Sequence, residues 1–411
     1  MASMPERAGT VQPLVPAPCF GGIDTHQEVH VAAVVDSGER VLGTGCFPTT
    51  VAGHRALLGW MRRHGDLVRV GVEGTGSYGA GVSLHLAGEG VPVLEVDRPD
   101  RVDRRRRGKD DELDAINAAR AALHQQRTCE PKSRDGAVEA LRVLRVTRAS
   151  AVRARRHVLQ LLRMTLVSAP DELREQVRDL SRMRLIRACA AWRPDTARTG
   201  TPLTAHRIAL RTQSRRYLAL SEEIAGLDAL IDPLVADLAP RLLDRPGIGT
   251  EIAGQLLVTA GDNPDRMRSE SAFAMLCGVA PLPASSGKVT RHRLNRGGDR
   301  QANRALYLAV VTRIRTDPAT QAYVERRTGE GLSKLEIIRC LKRYLAREVY
   351  HLLNPAPANH HTASAAALPR RRDRGVNMKR PTGRTMLTPT SAGVPSTGRG
   401  HTPADPRTPA A

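Results

Sequence analysis

Leu67-Val-Arg-Val-Gly-Val-Glu73 is a near-continuous apolar run closed by a carboxylate. A strand that is apolar on both faces is buried on both, the pattern of a central strand in a helix-covered sheet. Upstream, Val29 to Val35 reads as an apolar strand, Asp36-Ser-Gly-Glu39 as a hairpin turn, and Arg40 to Phe47 as the returning strand. Before them, Cys19-Phe-Gly-Gly-Ile-Asp24 is a further run that also ends in an acid. Thr50 caps a helix reaching about His64, with Leu57, Leu58 and Met61 on one face. Downstream of Gly74-Thr-Gly-Ser-Tyr-Gly79 come a helix near Val82–Ala87, a strand Val91–Val96, and a helix from near Leu113 to about Gln125. Three strands, helix, strand, helix, strand, helix predicts a mixed sheet: three antiparallel strands extended by parallel βα units, with helices on the faces. In such sheets chemistry collects at strand carboxyl ends, where Asp24 and Glu73 stand.

That element order is ribonuclease-H-like, and the stretch Arg101-Val-Asp-Arg-Arg-Arg-Arg-Gly-Lys-Asp-Asp-Glu-Leu-Asp114 supplies what such a sheet lacks. The cations Arg104, Arg105, Arg106, Arg107 and Lys109 suit phosphate, and the carboxylates that follow open a helix. Asp111 and Asp114 are three apart and project from one helix face. Neighbouring carboxylates repel unless cations neutralise them. Mg2+ prefers oxygen ligands and keeps water and substrate phosphates in its shell, so Asp24, Glu73, Asp111 and Asp114 together form a candidate Mg2+ site for phosphodiester chemistry. The competing reading is that Asp110-Asp111-Glu112 only complements the helix dipole, with the arginines as solvated counter-charges.

With 411 residues there is room for two or three domains. Lys+Arg number 63 against 42 Asp+Glu, a net charge of +21, and an anionic polymer is the obvious partner. Only six of the bases are Lys; a GC-rich coding bias explains Arg over Lys but not base over acid. Cys19, Cys46, Cys129, Cys189, Cys277 and Cys340 are scattered without a CxxC pair, which fits buried thiols in a reducing cytoplasm and excludes a clustered zinc module. No run is long enough to span a membrane and no signal peptide opens the chain, so no membrane partner is expected. Aromatics at 3% argue against stacking on single strands as the main binding mode.

The domains expected are a disordered lead-in over residues 1–18, a sheet domain over 19–130, a helical connector over 131–240, a C-terminal unit over 241–354 and a disordered basic tail over 355–411. The tail holds nine Arg/Lys against two Asp. The connector is Arg-rich and helical from about Asp135 to Val167, over Arg174–Arg187, and from Leu203 to Val235. It is either a coiled-coil spacer joining two subunits or an ordinary helical bundle. Its basic helices, Arg142–Arg163 and Arg174–Arg187, are expected to touch nucleic-acid backbone, each phosphate contact adding about 0.9 to the log–log salt slope. The C-terminal unit opens at Pro246-Gly-Ile-Gly249, a helix-hairpin-helix-like turn whose Gly247 and Gly249 would let backbone N–H groups approach phosphate. Further on, Ser285-Ser286-Gly287-Lys288 lies in a loop followed by Arg291, Arg293, Arg296 and Arg300. A hydroxyl beside cations can attack phosphorus, the charges stabilising the transition state; equally, this is a polar loop on a DNA-binding surface.

Gly22-Ile-Asp-Thr-His26, Val72-Glu-Gly-Thr-Gly76 and Lys109-Asp-Asp-Glu-Leu-Asp-Ala115 together resemble the DEDD domain of the insertion-sequence 110 transposases, a family that includes the Piv-type DNA invertases. Pro246-Gly-Ile-Gly249, Gly278-Val-Ala-Pro281, Ser286-Gly-Lys288, Gly297-Gly-Asp-Arg300 and Asn303-Arg-Ala-Leu306 follow that family's second domain in order. The resemblance, from about Gly21 to Leu353, implies a RuvC-like catalytic domain, a helical connector and a C-terminal domain supplying a serine nucleophile. It implies a site-specific recombinase on donor and target DNA, guided by a structured RNA and working as a homo-oligomer. Carried over by motif, Asp24, Glu73, Asp111 and Asp114 hold Mg2+ and Ser286 forms a transient phosphoserine bond. The family has Ser or Thr where Asp110 stands; the spacing to Asp114 favours Asp111 as ligand without excluding Asp110, and the family's Ser-Gly order favours Ser286 over Ser285. A junction-resolving nuclease and a catalytically dead nucleic-acid-binding protein are the competing functions.

Overall fold

The computed structural model describes residues 16–96, 110–263, 266–285, 292–293 and 295–354. Most of the expected lead-in, the Arg104–Arg107 cluster, Lys109, Ser286, Lys288, Arg291 and the basic tail lie outside the described residues.

A six-stranded sheet opens the chain: β1 (Pro18–Thr25), β2 (Val29–Asp36), β3 (Val41–Pro48), β4 (Asp66–Glu73), β5 (Val93–Val96) and β6 (Thr128–Cys129), in the order β3-β2-β1-β4-β5-β6. β1, β2 and β3 pair antiparallel, while β4 and β5 extend the sheet in parallel, as the element order predicts. The short β6, antiparallel to β5, was not expected. The sheet is mixed and its order is compatible with a RuvC-like fold.

Strand alternation divides the sheet into two faces. Ile23, Ala32, Val34, Val70 and Val72 join Leu57, Leu58 and Met61 of α1 (Val51–Arg62) and Val82 and Leu86 of α2 (Ala80–Gly88) in one core. On the opposite face Val31 and Ala33 meet Ala115, and Phe20 and Val35 meet Ala119, both alanines on α3 (Asp111–His124). His30 is fully buried, stacks on His54, and neither of its ring nitrogens has a hydrogen-bond partner. Burial first, then the His54 and His26 charges, push its imidazole down to about 4, so it is neutral in the fold.

The helical half begins with α4 (Ala137–Val167), α5 (Asp171–Val177), α6 (Arg182–Ala191) and α7 (Pro202–Leu238). Val158 and Leu162 share a core with Leu210 and Tyr217, whereas Val138 and Leu141 share one with Ile231 and Val235. The two long helices therefore run antiparallel and cover each other within the chain. The expected continuous basic helix over Arg174–Arg187 is two helices, interrupted between Val177 and Arg182.

The core of Val138, Leu141, Ile231 and Val235 continues into α8 (Pro240–Leu243), α9 (Thr250–Ala260), α10 (Glu270–Leu276), α11 (Arg300–Thr316) and α13 (Lys334–Leu353), with α12 (Pro318–Gly329) alongside. A two-stranded ladder pairs β7 (Leu282–Pro283) with β8 (His292–Arg293).

The N-terminus of α4 has only Gly136 as its own cap, and Asp262 caps it from another part of the chain, accepting from Val138 N (2.8 Å) and Glu139 N (3.0 Å). The charged cap also favours the helix dipole. Asp262→Ala is expected to cost about 2 kcal/mol, read as a lower urea midpoint at an unchanged slope. An unchanged midpoint would show that water replaces the cap.

Candidate metal centre and nucleic-acid surface

In the parallel pairing of β1 with β4, Ile23 is opposite Val72, so Asp24 and Glu73 follow as neighbours on adjacent strands. Adjacent strands lie about 4.8 Å apart. By alternation with Gly22 and Gly71, both acids point to the face covered by α3. Thr25 Oγ1 donates to the Glu73 carbonyl (2.8 Å), joining the two strand ends.

Close approach of α3 brings its own acids to this edge. A Cβ on Gly22 would stand 2.1 Å from Ala119 N and 2.2 Å from Ala115 O, and one on Gly71 would stand 2.3 Å from Ala118 O. Helix and strands therefore touch backbone to backbone. Asp111 and Asp114 are one turn before Ala115 and Ala118, hence one turn toward the strand ends that carry Asp24 and Glu73. Asp24 and Asp114 are buried. Asp110 Oδ1 caps α3 by accepting from Glu112 N (3.1 Å). Of the two candidates, then, Asp110 is occupied as the cap and Asp111 is turned toward Asp24.

One residue of the centre escaped the residue-by-residue reading. His26 Nε2 is 3.2 Å from Asp24 Oδ2 and 3.4 Å from Asp111 Oδ2. Donor atoms of Asp24, His26 and Asp111 all lie within 4.8 Å of one another. Glu73 and Asp114 stand outside that triad. The signal was present, since a residue two past Asp24 keeps its phase along the strand. Converging carboxylate oxygens, together with a buried ring nitrogen left without a hydrogen-bond partner, fit a divalent cation.

In the C-terminal half, Leu282 pairs with Arg293 and Pro283 with His292, while Ser286 lies outside the described residues. Two asparagines of the C-terminal motifs hold the described part of this region together. Asn295, buried, donates to Met275 O (3.2 Å) and accepts from Gly297 N (2.9 Å). Asn303 donates to Gly278 O (2.8 Å) and accepts from the buried Lys342 ammonium (2.8 Å). Burial chiefly, and then Arg339, push the Lys342 ammonium down. The burial of Lys342 has no sequence signal, because one lysine in an amphipathic helix ordinarily faces solvent. Asp299 caps α11 through Gln301 N (2.8 Å) and Ala302 N (3.2 Å).

Of the expected nucleic-acid contacts, Arg293 and Arg296 are exposed. Gly247 (φ 75°) and Gly249 form the turn into α9. Part of the basic surface is consumed inside the chain: Arg142 pairs bidentately with Glu139, Arg145 with Glu251, and Arg148 with Asp228 and Glu251. Arg153, Arg156, Arg163, Arg182, Arg184 and Arg187 are exposed, and none is in an ion pair among the described residues.

A mixed sheet with acids at two strand ends and on the overlying helix is compatible with a RuvC-like domain carrying a candidate metal centre. Residues 21–170 match the DEDD domain of the insertion-sequence 110 elements, described as a transposase, and residues 239–325 match the transposase IS116/IS110/IS902 family. The chain is 28% identical over 157 residues to the 42 kDa protein of insertion element IS900 from Mycobacterium paratuberculosis, covering 38% of this chain and 39% of that protein. It is 31% identical over 138 residues to the 43.6 kDa protein of insertion element IS110 from Streptomyces coelicolor, covering 33% and 34%. The chain thus spans between a third and two fifths of the length of these curated relatives. It belongs to the insertion-sequence 110 family of transposases. Among the described residues, no helix is long and apolar enough to cross a membrane.

Proposed function

We propose that the chain cuts and rejoins DNA as the transposase of an insertion sequence, using the acids Asp24, Glu73, Asp111 and Asp114 with Ser286 as nucleophile. The observation that carries this is the meeting of β1, β4 and α3, three segments distant in sequence, at one carboxylate-lined sheet edge. A divalent ion held there, Mg2+ in the simplest case, supplies Lewis-acid stabilisation of phosphoryl and leaving oxygens. Asp24, Glu73, Asp111 and Asp114 would hold such an ion at the sheet edge. Ser286 Oγ forms a bond to phosphorus as the bond from phosphorus to the scissile strand's oxygen breaks. The phosphoserine conserves the energy of the broken bond, so a second strand's hydroxyl displaces the serine without ATP.

Net charge of +21 and the exposed arginines of α4 and α6 support binding of donor and target DNA and of a structured guide RNA. The Gly247–Gly249 turn supports helix-hairpin-helix contact with duplex backbone. For the carboxylate edge and Ser286 to share one phosphate, the domains must meet, in the simplest arrangement across the subunits of a homo-oligomer.

Incubation of the purified chain with duplexes carrying the element ends, Mg2+ and the RNA encoded beside the reading frame tests the proposal. Strand exchange and a DNA–protein adduct that survives denaturation are expected, and Ser286→Ala should abolish both. If Ser286→Ala still cuts at the wild-type rate, water is the nucleophile and the chain is a junction-resolving nuclease. Binding without metal-dependent cutting on any such duplex would leave only a nucleic-acid-binding protein.

A further inference from the structure

An all-oxygen set of four acids is the environment magnesium favours, but the geometry adds a nitrogen to it. His26 Nε2 is shielded from solvent and lies within ion-pair distance of both Asp24 and Asp111, yet it makes no hydrogen bond in acceptable geometry. The short distances from His26 Nε2, without a hydrogen bond from it, are reconciled if that nitrogen faces a point it shares with the two carboxylates. A metal bonded at about 2.0–2.2 Å to imidazole nitrogen and carboxylate oxygen holds its donors within roughly 4.4 Å of one another. The observed triangle, all within 4.8 Å, needs only a slight contraction to reach that size.

We propose that His26 is a direct metal ligand, so that the centre is a mixed nitrogen–oxygen site selecting a first-row transition ion such as Mn2+ over Mg2+. The proposal rests on the reading that the acids hold a metal, and it goes beyond that reading by naming a further ligand and the class of ion. Imidazole is a donor for transition metals, whereas magnesium gives up water reluctantly and gains little from nitrogen. The chain offers His26 at small conformational cost. It follows directly on the end of β1, two residues after Asp24, and its side chain is 35% exposed, leaving the outer edge of the ring toward solvent.

Full-length protein, stripped with chelator and titrated with Mn2+ alone, provides the test by electron paramagnetic resonance, with no DNA and no turnover involved. Bound Mn2+ should show nitrogen modulation in its spin-echo spectrum, and Mg2+ should displace it only in large excess. His26→Ala should abolish the nitrogen signal and weaken Mn2+ binding at least about tenfold, since loss of even an outer-shell partner costs about 10–100-fold. His26→Gln, which keeps the bulk and offers an amide oxygen, should recover part of the affinity and none of the nitrogen signal. Bound Mn2+ without nitrogen modulation, or equal Mn2+ affinity in wild type and His26→Ala, overturns the proposal. If Asp24→Asn meanwhile abolishes binding, the acid site stands and His26 is only its counter-charge. If Mn2+ binding is indifferent to Asp24→Asn as well, the metal reading itself fails.

Discussion

Asp24→Asn is expected to slow metal-dependent strand cleavage by about a thousandfold at saturating metal while leaving the fold intact. At 1.36 kcal/mol per decade, that loss is about 4 kcal/mol of barrier, the several kcal/mol that Lewis-acid stabilisation of a phosphoryl transition state supplies. Asn keeps the shape of the buried side chain on β1 but offers one neutral oxygen in place of a shared carboxylate charge. Glu73→Gln and Asp114→Asn should behave alike, since each removes one charge from the same sheet edge. Asp110→Asn is the internal control: Asn caps a helix as well as Asp, and Asp110 caps α3 by accepting from Glu112 N. Cleavage by Asp24→Asn at the wild-type rate, or Asp110→Asn failing where Asp111→Asn does not, would refute the assignment of the acids.

What the sequence made legible was whatever depends on period and on chain order. The apolar run ending at Glu73, the hairpin at Asp36 and the spacing of Asp111 from Asp114 each report a local rule, and the mixed sheet follows from their order. Contacts between distant segments were not legible. Asp262 capping α4, Lys342 reaching Asn303, and Arg145 and Arg148 meeting Glu251 all join residues far apart in sequence, with no pattern to announce them. The arginines show the consequence: a basic helix looked free to bind phosphate because its carboxylate partners lie on another helix. The long helices showed their apolar stripes but not the partner of those stripes, which is α7 for α4. His26 is the intermediate case, legible as a residue in phase with Asp24 but lacking its meaning until α3 brought Asp111 to the same point.

Gly22→Ala should do more damage than a methyl group ordinarily does. The atoms a new Cβ would meet, Ala119 N at 2.1 Å, Ala115 O at 2.2 Å and Ala118 C at 2.8 Å, are helix backbone, which cannot swing aside as a side-chain tip can. Relief therefore requires α3 to lift from β1 by an ångström or more, about the strain that costs 3 kcal/mol in an overpacked core. Because Asp111 and Asp114 travel with the helix, the lift also separates them from Asp24 and Glu73. A misplacement of about 1 Å at a catalytic group costs about 100-fold in rate, so cleavage should fall even at temperatures where the variant remains folded. Gly71→Ala, against Ala118 O at 2.3 Å, should repeat both effects from the neighbouring strand. Gly59, exposed within α1 with nothing within 4 Å of a Cβ, is the matched control. There alanine should raise stability by about 0.5–1 kcal/mol, since glycine is a poor residue for a helix interior. Thermal melts and single-turnover cleavage on the three variants separate the two consequences. A Gly22→Ala protein that melts and cuts like wild type would mean that α3 does not rest on β1 backbone to backbone, and the acids would then lack the scaffold that brings them together.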